Sequence, residues 1–385
     1  MKHFFCTLIV LLMLVPNAAF GKDKGFSTVP VSNQGKKWRI GYYESGVSDI
    51  YHETLYSIVN SLSSMGWIKK QSIPVIRDKQ KTKVLWQWLS TQIESDFIQF
   101  VGDAFYSANW DQTQRQSQKN AIIKRLTQSH DIDLMFAMGE WAGLDLANND
   151  HQTPTLVLAV PDPIESGIVV SANDSGIDHI HARSDPTRYQ RQINLFYDII
   201  GFKKLGIACE TFPHQVISEG MMDIMTVAKQ RKFDVITCNY DINANHKDIN
   251  EVIKCIDKLA QKVDAVYIIP CQGISLKNIQ QIIAPLIKRK IPTFSHIGSQ
   301  WVKHGVLFSV ARSGYRYIGH FYAVTIAKIL NGAKPRALTQ IFEDPPKLAI
   351  NLKTSEIISY NPSVAVLGAA DEIFTDIQVV EMNTE

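Results

Sequence analysis

Apolar residues along this chain fall into two habits. Short continuous runs bounded by turn residues read as buried strands, and runs spaced by three and four read as helices. Residues 38–43 predict a first strand, followed by the turn Glu44-Ser45-Gly46. Leu55, Ile58, Val59 and Leu62 keep helical spacing, and Gly66 closes that helix. Residues 72–76 predict a second short strand. A strand-helix-strand opening implies a parallel sheet with a right-handed crossover.

Residues 79–128 are less regular. Residues 84–89 read as a short amphipathic helix, 97–101 as an extra strand, and 112–126 as a polar-faced helix carrying Ile122, Ile123 and Leu126. The stretch of about 79–110 is taken as an insertion. Its aromatics Trp86, Trp88, Phe105, Tyr106 and Trp110 are read as a local core beneath it, ahead of a partner surface. Residues 134–138 form a buried strand, Gly139-Glu140-Trp141 opens a helix, and 155–160 forms the next strand. That strand breaks into Pro161-Asp162-Pro163, where two prolines stiffen the turn and withhold two N–H donors.

Residues 170–184 lose helical period and read as the crossover to a second lobe. His179 and His181 alternate there, which fits an exposed strand better than a metal pair. Helices at 189–200, 216–229, 249–259 and 276–288 then alternate with strands at 204–209, 233–238, 264–269 and 291–295. A short strand at 306–310, a helix at 315–330 and a late strand at 347–352, read as returning to the first lobe, complete the pattern. The expected organisation is an α/β protein of two Rossmann-like lobes with parallel sheets joined by a hinge. The first lobe spans 38–170, the second 185–310, the hinge-crossing helix and return strand 311–360, and a tail 361–385.

Composition narrows the class. The chain has 385 residues and a formal net charge of +3, with no cluster of Lys and Arg, which argues against a nucleic-acid partner. Residues 4–15 are apolar but too few to span a bilayer, and Ala19-Phe20-Gly21 carries small residues where a signal peptidase reads. Residues 1–21 are therefore expected to be a cleaved signal peptide, leaving a soluble periplasmic protein. Cys209, Cys238, Cys255 and Cys271 remain, and an oxidising compartment permits two disulfides. Three end apolar strand-like runs and Cys255 lies in a helical pattern, so buried free thiols are read slightly ahead of bridges. The cysteine spacings do not match a zinc site, and no metal or cofactor is expected.

Several blocks resemble one family. They are 133–138, Thr153-Pro154-Thr155 running to Val160-Pro161-Asp162-Pro163 with Gly167-Ile168-Val169, 263–267, and Ile291-Pro292-Thr293-Phe294. The closest is Gly305-Val306-Leu307 through Tyr315, Gly319 and Ile329-Leu330-Asn331-Gly332-Ala333-Lys334-Pro335, followed by Asn351-Leu352-Lys353-Thr354. Their order resembles the type I periplasmic binding proteins of the ABC-transporter substrate-binding family that includes tryptophan and tyrosine uptake proteins. Where amino-acid-binding members carry Thr-Pro after the third strand, this chain has Gly139-Glu140-Trp141, and Pro161 replaces a usual Thr. Where they carry Pro-Thr-Asp-Asn, it has Pro270-Cys271-Gln272-Gly273.

Ligands of open α/β sheets bind outside the carboxyl ends of the strands. Those ends supply Tyr43, Ser45, Glu140, Trp141 and Asp162 from the first lobe and Gln272, Ser295, His296 and Arg312 from the second. Trp141 offers a face for stacking or for a cation, Asp162 and Glu140 would pair with an amino group, and Arg312 would hold a carboxylate. No Gly-x-Ser-x-Gly, Walker, Gly-x-Gly-x-x-Gly or His-Glu-x-x-His motif is present, and no enzymatic activity is expected. The resemblance implies a monomeric binding protein. It captures a small solute, an amino acid or similar, and delivers it to an ABC transporter permease. A periplasmic sensor that docks to a membrane signalling receptor is the alternative.

Overall fold

Trp38–Glu44 (β1) is the strand on which the first sheet is built. It is buried from Ile40 onward and hydrogen-bonds to a parallel neighbour on each side. The computed structural model describes residues 25–210, 220–240, 249–269, 273–295, 298–311, 314–345 and 347–379. After β1 come Asp49–Ser64 (α1), Lys81–Gln92 (α2), Ile98–Ser107 (β2), Gln112–Gln128 (α3) and Leu134–Met138 (β3). Glu140–Leu146 (α4), Thr155–Leu158 (β4) and Ile180–Ala182 (β5) follow. The sheet order is β2-β1-β3-β4-β5 and every pairing is parallel.

Alternation along β1 feeds two cores. Ile40 and Tyr42 join Leu134, Phe136, Leu55 and Trp86 on one face, while Tyr43 joins Met135, Ala137 and Val157 on the other. The stretch read as an insertion contains α2 and β2, and β2 is the edge strand beside β1. Its register against β1 slips between Ile40 and Tyr42, which lets β2 run on to Ser107. Trp86 is a core residue of the lobe, whereas Trp110 is 52% exposed. The strand expected at 72–76 is absent: Pro74 removes a ladder donor and Val75 is 84% exposed.

The second sheet is assembled from Lys204–Glu210 (β6), Asp234–Tyr240 (β7), Ala265–Ile268 (β8), Thr293–Ser295 (β9), Phe308–Ala311 (β10), Lys347–Asn351 (β11) and Ala370–Phe374 (β12). Its order is β12-β11-β10-β9-β8-β6-β7, with β10–β11 the antiparallel pair. Its helices are Arg188–Ile200 (α5), Met221–Arg231 (α6), Ile249–Leu259 (α7), Ile279–Lys288 (α8) and Ser299–Lys303 (α9). Tyr315–Leu330 (α10), Leu352–Ile357 (α11) and Val364–Ala369 (α12) complete the set.

The late crossing differs from expectation. It is α10 that lies on the first lobe, where Tyr322, Ala323, Ile326 and Ala327 pack with Leu55, Ile58, Val59 and Leu62. The late strand β11 instead pairs with β10 in the second sheet. Two more corrections follow from burial. His179 and His181 are buried, and His181 sits on β5. Cys238 of β7 and Cys255 of α7 are joined by a disulfide, with Cα atoms 5.7 Å apart. Periodicity shows that both positions face inward but not that they face each other.

Chain segments cross between the lobes side by side. Ser184 donates its N–H to Gln340 at 2.8 Å and accepts from the N–H of Phe342 at 3.0 Å. Arg183 pairs with Asp344 at 3.4 Å and Arg191 with Asp185 at 2.8 Å. Among the described residues, no helix is long and apolar enough to cross a membrane.

Candidate ligand cleft

The first sheet reverses its order between β1 and β3, so a crevice opens outside the carboxyl ends of these two strands. Ser45 lies there, fully buried. Its hydroxyl accepts from the N–H groups of Trp141 at 3.1 Å and Ala142 at 3.4 Å and donates to the Met138 carbonyl. One side chain thus ties the end of β1 to the start of α4. Trp110 lies over this joint. Its backbone N–H donates to Ser45 O at 3.0 Å and its indole N–H donates to Val47 O at 3.2 Å. Gly46 makes room: a Cβ there would stand 2.5 Å from the indole ring.

Trp110 and Trp141 meet edge to face at 5.6 Å, and Tyr51 stands 6.3 Å from Trp110. The Arg115 guanidinium sits 5.0 Å over the Trp141 ring and forms a bidentate pair with the buried Asp145. Trp141 is therefore already capped by a cation. Beside this aromatic group, the ends of β1 and β2 and the start of α2 enclose a cavity of about 210 Å³. The Glu44 carboxyl lines it at 3% exposure, accepting from the Tyr42 hydroxyl at 3.0 Å and the Ser107 hydroxyl at 3.0 Å. Burial pushes this carboxyl up to about 7, against the pull of those two hydrogen bonds.

The wall across the crevice carries Asp223 of α6, which accepts from the Gln190 side chain at 2.7 Å. Burial raises the Asp223 carboxyl, and the negative charge of Asp162 in the first lobe raises it further. Asp162 and Asp223 therefore stand close enough to feel each other's charge. Asp162 also accepts from the N–H groups of Ile164 at 2.9 Å and Glu165 at 3.0 Å, so it holds the turn after β4.

A family model for the ABC transporter substrate binding protein matches residues 105–373, a span that includes strands of both sheets. This chain belongs to the ABC transporter substrate-binding protein family. No curated protein matches it. Solved structures agree on architecture. The ligand-free, open structure of CD0873, a substrate-binding protein with adhesive properties from Clostridium difficile, is 18% identical. It covers 88% of this chain and 100% of its own, with a TM-score of 0.66. The ABC domain in complex with L-Trp from Streptococcus pneumonia is 18% identical with the same coverages and a TM-score of 0.55. A conserved domain protein from Vibrio cholerae gives 16%, 88%, 100% and 0.54. At such identities the likeness concerns the fold, which is the two-lobed type I periplasmic binding fold anticipated from the sequence blocks.

Within this family member, the expected site residues fall into different places. Ser45, Trp141 and Asp162 stand at the crevice, and exposed Glu140 starts α4 beside them. Tyr43 does not reach it: the ring is fully buried and its hydroxyl donates to Asp145 of α4 at 2.8 Å. Ser295 is buried at the end of β9, where its carbonyl accepts from the Ser309 hydroxyl. Gln272, His296 and Arg312 lie outside the described residues. Glu44 and Trp110 were not singled out as ligand contacts. Glu44 sits one residue from Ser45, and strand alternation turns it to the other face of β1. Trp110 reaches the crevice only through the two left-handed residues Asn109 (φ 48°) and Trp110 (φ 58°), which no periodicity announces.

Proposed function

We propose that this protein is exported, closes its two lobes around a small solute, and hands that solute unchanged to the permease of an ABC transporter. The observation that carries the reading is family membership over residues 105–373, a span that includes cleft-facing strand ends of both lobes. Closure follows from geometry. Contacts to one lobe bind open and closed forms equally, whereas contacts to both lobes favour the closed form. Asp162 and Asp223 approach from opposite lobes, so a solute touching both gains only on closing. The strand-like hinge segments 183–185 and 340–344 would absorb the rotation. Residues 1–21 would direct export and be removed.

The test uses protein recovered from the envelope fraction, which should begin at Lys22. A panel of amino acids, nucleosides, thiamine and polyamines is screened by thermal shift. A true ligand raises the melting temperature by mass action and reduces the radius of gyration in solution scattering. A panel without any stabilising compound, or a ligand that stabilises without compaction, would sink the capture mechanism.

A further inference from the structure

Helix α5 packs Ile193 and Phe196 into the core of the second lobe, and its Gln190 holds Asp223 at the crevice. Arg188, Arg191, Gln192 and Leu195 are spaced by three, four and seven, so they share a different face. Gln190 lies about 200° around the helix from Arg188 and from Gln192, which turns this face away from the crevice. Between it, Val310 of β10 and the segment Asp344-Pro345 that leads into β11 lies a cavity of about 350 Å³. That volume falls within the ~300–1,000 Å³ of sites that enclose a small ligand.

The acids that line this cavity each have an arginine. Asp185 accepts from Arg191 at 2.8 and 2.9 Å, Asp344 pairs with Arg183 at 3.4 Å and Asp198 with Arg231 at 3.2 Å. Arg191 also reaches Glu343 at 3.5 Å, outside the lining. Two donors are left over. The Arg188 guanidinium makes no ion pair or hydrogen bond among the described residues and rests 5.4 Å over the Tyr189 ring. Gln192 is 5% exposed; its Oε1 accepts from the buried Tyr267 hydroxyl at 3.0 Å, and its Nε2 has no partner among the described residues. A buried amide N–H without an acceptor is rare and costly. The remaining wall is apolar: Leu195 and Val310 are half-buried against the second-lobe core, and Pro345 is exposed at the mouth.

We infer that this cavity is a second ligand site, separate from the crevice, and that it takes a small monocarboxylate whose oxygens accept from Arg188 and Gln192 while a short apolar tail lies on Leu195 and Val310. Arg188 and Gln192 stand four apart on the helix, where Cβ atoms are ~5–6 Å from each other, so both can reach one carboxylate. One group then satisfies both unpartnered donors, one of them charged, and the tail leaves water against the wall. A second negative charge on the ligand would meet Asp185, Asp198 and Asp344 around the same space. A cation would find each of those acids already neutralised by its arginine. The site is independent of the capture reading above, since its ligand need not be the solute held between the lobes.

The probes are hexanoate, 1-hexanol and acetate, titrated calorimetrically into the full chain at neutral pH. Hexanoate should bind at least about tenfold tighter than 1-hexanol, which has the tail without the charge, and than acetate, which has the charge without the tail. Arg188→Ala should weaken hexanoate about tenfold and leave 1-hexanol within about twofold. Gln192→Glu keeps an acceptor for Tyr267 and puts a carboxylate in place of the donor, so it should weaken hexanoate at least about tenfold. If that variant does not fold, Leu195→Trp, made at a half-buried position, should fill the cavity and block hexanoate and 1-hexanol alike. Asp162→Asn in the crevice should leave hexanoate within about twofold. Equal affinity for hexanoate and 1-hexanol, Arg188→Ala binding like wild type, or no saturable hexanoate binding in the millimolar range overturns the assignment. So does an Asp162→Asn variant as weak as Arg188→Ala, which would place hexanoate between the lobes.

Discussion

Glu44 illustrates how a buried carboxyl shapes the pH dependence of the fold. Its carboxyl protonates near 7 in the folded protein because it is buried, against an ordinary value of 4.5. Between those values the folded chain holds a proton that the unfolded chain has released. Stability therefore falls as pH rises from 4.5 to 7 and is flat above. Glu44→Gln cannot titrate. Relative to wild type it should be more stable at pH 8 than at pH 4.5, read by urea denaturation at both. A difference independent of pH would show that the carboxyl is not protonated on folding. The same residue marks the limit of reading sites from sequence. Ser45, Trp141 and Asp162 were legible because strand ends and proline turns are written in local pattern. Tyr43 was misplaced and Glu44 overlooked because a strand that is buried on both faces gives no sign of which side holds the cavity. Trp110 depends on a loop conformation that only the contacts with Ser45, Gly46 and Val47 dictate.

At the scale of elements, the crossing of α1 and α10 decides how the lobes are connected. The two helices meet at Gly319 and Ser57. A Cβ on Gly319 would lie 2.7 Å from the Ser57 carbonyl carbon, and the Ser57 hydroxyl donates to Tyr315 O at 2.7 Å. Backbone cannot yield as a flexible side chain can. Gly319→Ala should therefore force the helices apart and cost about 1–3 kcal/mol, despite the better helix propensity of alanine. Gly332→Ala is a poor control, because its φ of 94° disfavours alanine by itself. Gly368→Ala, where a Cβ meets nothing within 4 Å, is a good one. An unchanged denaturation midpoint for Gly319→Ala would mean that the crossing is looser than drawn. Helical spacing located α10 in the sequence, but no local signal says which lobe it covers. Long-range packing against Leu55, Ile58 and Leu62 makes the choice. The Cys238–Cys255 bridge escaped for the same reason.

Across the whole molecule, the two lobes differ in how they carry buried charge. Under the first lobe, at the end of the sheet away from the cleft, His151 and His179 pack edge to face at 4.6 Å. Both are buried. Burial, and then the neighbouring His151, hold His179 down to about 4, and burial lowers His151 as well. An unfolded imidazole protonates near 6.5. Between 6.5 and 4 the unfolded chain thus binds protons that the folded chain refuses. The contribution of the pair is complete above 6.5 and is lost progressively as pH falls toward 4. This opposes Glu44, whose folded form gains from acid over nearly the same range. The nearby carboxylates Asp174 and Asp178, both lowered chiefly by Arg336 and Lys334 respectively, lose their ion pairs only at lower pH. The histidines therefore weaken the first lobe in acid, as does His52 of α1, whose imidazole burial also lowers, and the second lobe has no such pair among its described residues. Calorimetry from pH 7 to 4.5 should show a transition that shifts down with acid, and His179→Gln should flatten that shift while leaving solute affinity at pH 7 untouched. A His179→Gln variant whose transition moves with pH as much as wild type would assign acid sensitivity to other groups.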